Sequence, residues 1–533
     1  MTLSWPCQPE DIFPTCKIYI DPDSWANFFA NSAYRPSPEQ FPKFLESHWQ
    51  QFDLSECIPD LARVEFSLFQ VSQSGQKKIP DKVEVLCVNP TLQLLQLSWS
   101  HLLSLLNSDK ANPEDSVKPE PESVLVWRDP DGDRVKKKVA VEADLLALKI
   151  VTDELSVEEI AAEGGVAVGV IDRAIDRAVR LGLLLRPPSR IERDSDFPKG
   201  ENIDNRFFSA PVFTLQWHIT QVCDLHCRHC YDRSSRATLP LDKGITILDD
   251  FRAFCLERNV RGQISFTGGN PLLHPNFLEL YQAAVDRNLM TAILGNPCSR
   301  RKLEEICAIQ EPVFYQVSLE GLAEHNDYIR GEGHFDRIIS FLELLKEMKI
   351  YSMVMLTMTR ANMDQVLPLA DCLRDKVDLF TYNRLAMVGE GAQLLSVRQD
   401  EYRQFLKEYL QAATENPVIS LKDNLLNLAR SEQGKALFGG CAGHGCGAAF
   451  NFIAALPDGE VHACRKLPSL IGNIFEQSIA EIYDGEKARK YRQGASSCSS
   501  CAIRPVCGGC PAVVYGFGLD VFVDRDPYCF LET

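Results

Sequence analysis

An α/β fold centred on a partial (β/α)6 barrel, with a cysteine-rich domain after it, is what this 533-residue sequence predicts. Three observations carry that expectation. From Val212 to Asn416 strand-like and helix-like runs alternate, the pattern of parallel βα units. Each cysteine- or glycine-bearing motif in that stretch follows a strand-like run directly, where βα barrels carry their chemistry. Eleven of the nineteen cysteines crowd into two places, Cys223 to Cys230 and Cys441 to Cys529.

Before the barrel, residues 1–110 read as a helical domain. Phe41 to Phe52 and Leu54 to Phe69 space their apolar residues helically, and Pro90-Thr91 opens a third run to Leu106. No acid–base or metal-ligand constellation stands there. Residues 111–122, charged and Pro-rich, read as a linker. In residues 123–190, Val124 to Trp127 and Arg134 to Val141 flank Asp131-Gly132, a hairpin signal. Helical runs follow at Glu142–Val151, Ser156–Glu163 and Val168–Leu181, with Ser156 and Glu159 as a capping box. A hairpin with three helices is a winged-helix plan. It fits DNA binding through Arg173, Arg177 and Arg180, or peptide binding by strand addition beside the hairpin. Eleven Lys/Arg against twelve Asp/Glu between Ser123 and Arg190 leave no basic footprint, which favours a peptide. Residues 191–211 read as a second linker.

The barrel, residues 212–416, has strand-like runs at Thr214–Val222, Gln263–Thr267, Met290–Leu294, Val313–Leu319, Tyr351–Met358 and Leu379–Leu385. Helical runs between them include Leu241–Arg258, Asn276–Asn288, Arg300–Ile309, Phe335–Met348 and Asp364–Asp375. Residues 417–533 complete the chain.

Composition narrows the function. A formal charge of −17 suits a neutral or cationic partner better than nucleic acid. No run of about 18 apolar residues suggests a membrane span, and the first residues lack the basic and apolar regions of a signal peptide. A large chain without such a signal uses clustered cysteines for metal or redox work in the cytoplasm rather than for disulfides. The eight scattered cysteines read mostly as small core residues.

Cys223, Cys227 and Cys230 follow the first barrel strand at C-x3-C-x2-C, with Tyr231 next. A [4Fe–4S] cube normally takes four thiolates. Three leave one iron open to hold and cleave a cofactor. Zinc is the other reading of these three alone, although it prefers four ligands. Thr267-Gly268-Gly269-Asn270-Pro271 follows the second strand. Ser318-Leu319-Glu320-Gly321 and Arg330-Gly331 follow the fourth, and Thr381-Tyr382-Asn383-Arg384 ends the sixth. In the C-terminal region Cys441, Cys446 and Cys464 precede Cys498-x2-Cys501-x5-Cys507-x2-Cys510, and Cys529 closes the set. Eight cysteines suffice for two fully ligated cubes; paired zinc ribbons are the other reading.

These motifs resemble the radical S-adenosylmethionine (SAM) superfamily, and the C-terminal set resembles its SPASM domain. The resemblance implies a TIM-like radical SAM barrel, SAM as cofactor and three [4Fe–4S] clusters. Cys223, Cys227 and Cys230 would hold the first; Cys441, Cys446, Cys464 and Cys510 the second; Cys498, Cys501, Cys507 and Cys529 the third. SAM would lie against Tyr231, Thr267, Gly268, Gly269, Asn270, Ser318 and Arg330. The stretch matching Thr267 to Pro271 receives the methionyl amino group through an acid, where this chain has Asn270. Ser318 and Arg330 would take the SAM carboxylate.

The winged unit resembles the leader-recognition element of ribosomal-peptide maturases. Together these implied parts describe a maturase similar to the thio(seleno)oxazole-modifying, or selenobiotic, family. It would oxidise a precursor peptide at cysteine with electrons from ferredoxin or flavodoxin. Sulfatase-maturing relatives carry a basic Asp after the cysteine matching Cys464, where this chain has Arg465. The alternatives are a cluster-based redox-sensing DNA-binding regulator and a radical SAM epimerase or carbon–carbon crosslinking enzyme.

Overall fold

The computed structural model describes residues 6–30, 36–74, 79–80, 82–106, 116–132 and 134–531. It divides into two units, Met1–Pro188 and Ser189–Thr533. The linker expected at 111–122 falls partly outside the described residues.

The first unit starts with helices at Pro9–Ile12, Pro14–Tyr19, Pro22–Ala30, Phe41–His48 and Ile58–Gln73. Aromatic rings fill its core. Phe28, for example, meets Phe52 edge-on at 4.7 Å. Strands β1 (Cys87–Val88), β2 (Gln93–Leu97), β3 (Glu122–Arg128), β4 (Val135–Val139) and β5 (Leu184–Leu185) follow. β2, β3 and β4 form an antiparallel sheet, and β1 pairs with β5. Helices Glu142–Thr152, Val157–Glu163 and Val168–Leu181 lie between β4 and β5.

Two expectations change here. The helical run from Pro90 to Leu106 is instead β2 and a short helix, Leu102–Leu105. Gln93-Leu94-Leu95-Gln96-Leu97 fits either period, and pairing with β3 across Leu94↔Leu125 decides it. The winged unit therefore begins before residue 123. Buried Asn89 ties its parts together, donating to Arg128 O (3.0 Å) and Gly182 O (2.8 Å). The capping box at Ser156 is half made: Glu159 N–H donates to Ser156 Oγ at 3.2 Å.

In the second unit, the described residues hold one nine-stranded sheet. β6 (Val212–Thr220), β7 (Arg261–Gly268), β8 (Met290–Leu294), β9 (Tyr315–Ser318), β10 (Ser352–Met358) and β11 (Leu379–Arg384) run parallel in that order. Each lies within two residues of its sequence prediction. β12 (Phe452–Ala455), β13 (Glu460–His462) and β14 (Leu470–Asn473) extend the same sheet beyond β6. β12 pairs with β6 from Phe452↔Thr214 to Ala455↔Trp217. An otherwise open barrel edge is thereby covered by the cysteine-rich region. Trp217, Phe266, Tyr281, Tyr315 and Tyr382 anchor the core.

The linker expected at 191–211 is packed structure. Its ends close on each other through Ala210 N–H to Ile191 O (2.9 Å). Arg193 is buried, donating to Arg492 O (3.0 Å), His444 O (2.7 Å) and Cys446 O (2.9 Å). Its guanidinium also stacks on Phe450 at 3.8 Å. A polar segment reads as a loop in sequence because that burial depends on distant carbonyls.

Candidate active site

The register of β6 against β7 shifts between His218 and Thr220. A bulge at a strand end re-aims the chain, and here it releases the loop bearing Cys223, Cys227 and Cys230. Two glycine turns pack closely against this loop. Gly268 has φ +133°, and a Cβ there would lie 2.0 Å from Thr220 O; one on Gly269 would lie 2.3 Å from Val222 O. That approach lets Gly269 N–H donate to Thr220 O (2.9 Å) and Asn270 N–H to Val222 O (2.8 Å). Gly389, after β11, has φ +57°, and its Cβ would lie 2.7 Å from Cys230 O and 2.6 Å from Tyr231 O.

Charge fixes the loop as well. Glu320, wholly buried after β9, lies 2.8 Å from His229 Nε2 and 2.6 Å from Arg330 Nη2, and accepts Thr357 N–H at 2.7 Å. Burial raises a carboxyl's pKa, but His229 and Arg330 outweigh it and hold Glu320 at about 2. Arg330 Nη1 lies 3.6 Å from Cys227 Sγ, and Asn296 Nδ2 lies 3.7 Å from Cys223 Sγ. Donors of this kind tune a cluster through its sulfurs. Burial raises the thiols of Cys227 and Cys230, while Arg330 and Arg233 respectively oppose it.

The expected SAM-binding residues meet different fates. Thr267, Gly268 and Gly269 stand at the end of β7 beside the cysteine loop, and Ser318 ends β9 opposite Met355 of β10. Asn270 Nδ2 donates to Asp224 Oδ1 at 3.0 Å. Arg330 does fork onto a carboxylate, but that carboxylate is Glu320, through Nε (2.9 Å) and Nη2 (2.6 Å). A buried glutamate needs a cation, and Arg330 supplies it. Tyr231 lies 5.3 Å below the Arg465 guanidinium, and burial pushes its hydroxyl up to about 12. Arg465 also pairs with Asp232, so the residue after Cys464 reaches across to the loop of Cys230.

The C-terminal cysteines gather in two sets. Cys446 and Cys464 are in electrostatic range of Cys441 and Cys510. Cys498 and Cys507 are each in range of Cys501 and Cys529. Cys507 and Cys510 belong to different sets although two residues separate them. Gly508 (φ +70°) and Gly509 (φ +61°) turn the chain between them. Asn424 braces the first set, accepting Cys441 N–H (2.7 Å) and donating to Gly509 O (2.6 Å).

The first set lines a cavity with Lys422 and Lys466. Burial lowers the Lys422 ammonium, whereas at Lys466 the thiols of Cys510, Cys464 and Cys441 outweigh burial and raise it. Two ammonium groups facing four sulfurs favour thiolate ligands there. Among the described residues no three His, Cys, Asp or Glu side chains converge on a single-ion site. A cube spreads its thiolates over separate irons, so it takes a wider spacing than a single ion does.

Sequence reasoning gave Arg384 no role. It is the buried hub between barrel and C-terminal region, bonded to Asp423 (2.7 Å) and through both Nη atoms to Asp526 (2.8 and 2.7 Å). Asp526 also accepts Cys510 N–H at 2.9 Å. A charged residue ending a barrel strand was the available signal. For Lys422, Asp423 and Asp526 there was none.

Residues 217–373 match the family model of the radical SAM superfamily, and residues 446–511 that of the SPASM iron–sulfur cluster-binding domain. Among curated relatives, the AdoMet-dependent heme synthase of Methanosarcina barkeri is 25% identical over 345 residues, 59% of this chain and 95% of that protein. The antilisterial bacteriocin subtilosin biosynthesis protein AlbA of Bacillus subtilis is 28% identical over 321 residues, 57% and 68% of the two chains. The mycofactocin maturase MftC of Mycolicibacterium smegmatis is 28% identical over 344 residues, 61% and 84%. Of solved structures, Streptococcus suis SuiB bound to SAM gives a TM-score of 0.49 at 18% identity, covering 77% of this chain and 96% of that one. The chain therefore carries a radical SAM domain. A SPASM domain follows it, and the two together imply SAM and [4Fe–4S] clusters as cofactors.

Proposed function

We propose that this enzyme matures a ribosomally made precursor peptide, binding its leader on the winged unit and oxidising its core at a cysteine. The observation that carries the peptide reading is the outer edge of β4. Among the described residues β4 pairs only with β3, and Val139 and Val141 beside that edge are exposed. An extended leader adding there completes a four-stranded sheet. Similarity to AlbA and MftC, whose names describe bacteriocin biosynthesis and a maturase, supports the same reading.

Cys223, Cys227 and Cys230 hold the SAM cluster, and the two C-terminal sets hold two more, making three [4Fe–4S] clusters. Bound there, the first cluster and SAM supply the 5′-deoxyadenosyl radical that takes hydrogen from the peptide. Glu320, His229 and Arg330 keep the cysteine loop fixed, and the barrel walls exclude water. A cytoplasmic donor of the ferredoxin or flavodoxin kind delivers the reducing electron. Arg465, committed to Asp232, is no base; this favours a cysteine target, with a thiooxazole-type ring or a thioether as product.

Similarity to a heme synthase and to an Fe-coproporphyrin III synthase favours a tetrapyrrole substrate instead, but that reading leaves β4 without a role. Mass spectrometry of the precursor encoded beside this chain separates the two. The expected result is loss of hydrogen in pairs, one 5′-deoxyadenosine per pair, and none from a precursor with every Cys changed to Ala. An unaltered precursor together with consumed porphyrin contradicts the proposal.

A further inference from the structure

One stretch of the C-terminal region turns apolar side chains outward. Between Pro511 and Asp524, Tyr515, Phe517, Leu519 and Val523 are exposed. Single exposed apolar residues are ordinary, but several on one short stretch mark an interaction surface. The stretch is held from beneath. Val521 packs against buried Ala386, Leu467 and Ala512, and Phe522 meets the Tyr491 ring at 5.0 Å. Ser496 N–H donates to Phe522 O (2.9 Å) and Ser497 N–H to Val523 O (3.2 Å). Phe517 also meets the ring of Tyr528 edge-on at 5.6 Å. Tyr515, Leu519 and Val523 are thus carried outward on a backbone that other residues hold in place.

The stretch lies on the rim of the barrel. A Cβ on Gly516 would lie 3.1 Å from Met387 Cβ, and Gly389, two residues further on, packs against Cys230 O and Tyr231 O. This is the end of the barrel where βα folds carry their chemistry. A residue brought to the cysteine loop from outside has neighbours that must rest on the rim. Charge narrows what those neighbours are. Residues 511–524 contain no Lys or Arg, and Asp520 and Asp524 are their only charges. Arg525, next in the chain, turns to Leu531 O at 3.2 Å. Apolar side chains interleaved with carboxylates favour an uncharged or basic apolar segment and repel an acidic ligand, such as a porphyrin with its propionates. We propose that residues 515–523 dock the apolar residues beside the target in the precursor's core. This inference rests on the peptide reading and adds a second contact for that peptide.

Steady-state kinetics of the full chain, reconstituted anaerobically, with the precursor encoded beside it test this. Combining Tyr515→Ser, Leu519→Ser and Val523→Ser is expected to raise KM for that precursor about tenfold and to leave kcat within about twofold, as loss of uniform binding does. The isolated leader, followed by fluorescence anisotropy, should bind wild type and variant equally. An unchanged KM overturns the proposal, and so does a loss as large for the leader alone. If wild type leaves this precursor unaltered, the peptide reading itself fails and the docking proposal with it. If wild type alters it while the variant keeps its KM, the docking proposal alone fails. Benzoylphenylalanine in place of Leu519 checks the contact without removing the patch. Light should join it to precursor residues that follow the leader. Crosslinks to the leader alone or to a second copy of the chain, or none at all, overturn the proposal.

Discussion

Glu320 is the residue on which the order of the cysteine loop depends most. It joins a residue of that loop, His229, to the helix-end Arg330 and to the backbone of β10. Removing one member of a buried pair leaves the other uncompensated, at a cost of about 3 kcal/mol or more. Glu320→Gln is therefore expected to lower the urea midpoint of the second unit and to reduce the iron held at Cys223, Cys227 and Cys230. An unchanged midpoint and iron content would show that the network is ornamental. Sequence reasoning placed Glu320 in the right motif without a role, because a carboxylate's partners lie far along the chain. Asn270 was legible as a departure, but its partner Asp224 was not, since a loop residue's neighbours emerge only when β7 and β8 are side by side.

At the scale of elements, strands and helices of the barrel were legible because each repeats an apolar period long enough to read. The exceptions share a cause. β2 and the segment 191–211 take their structure from distant partners, β3 for one and the carbonyls of His444, Cys446 and Arg492 for the other. The glycine turns carry the sharpest prediction. Gly389→Ala forces a left-handed alanine against Cys230 O and Tyr231 O. Gly434 has a similar φ of +62° with nothing within 4 Å of its Cβ position. Gly434→Ala should then cost only the conformational term, about 1–2 kcal/mol. Gly389→Ala should cost more and also lose iron from the SAM cluster. Equal effects of the two, measured by denaturation and iron analysis, would mean that the close approach at Gly389 does not hold the loop.

Across the whole molecule, burial holds six histidines below their ordinary pKa: His218, His274, His325, His334, His444 and His462. His334 falls from 6.5 to about 4. Between those values the unfolded chain binds more protons than the folded one, so stability rises with pH. Stability should therefore decline as pH falls from about 6.5 to about 4. The depressed carboxyl of Glu320 adds stability that is lost only as pH falls toward about 2. Denaturant midpoints across that range check the sign; a flat profile between pH 6.5 and 4 would contradict it.

The continuity of one sheet from β11 to β14 is what places the SPASM cysteines in the same compact unit as the barrel. The proposed division of the cysteines into three, four and four sets the iron content that can be measured. The most direct test measures 5′-deoxyadenosine released by the reconstituted chain with SAM and dithionite, beside its iron content. With four irons per cube, the account predicts about 12 iron per chain and steady release from wild type. In the variant with Cys223, Cys227 and Cys230 all changed to Ala it predicts about 8 iron and no release. Undiminished 5′-deoxyadenosine from that variant, or zinc in place of iron in the wild type, would contradict it.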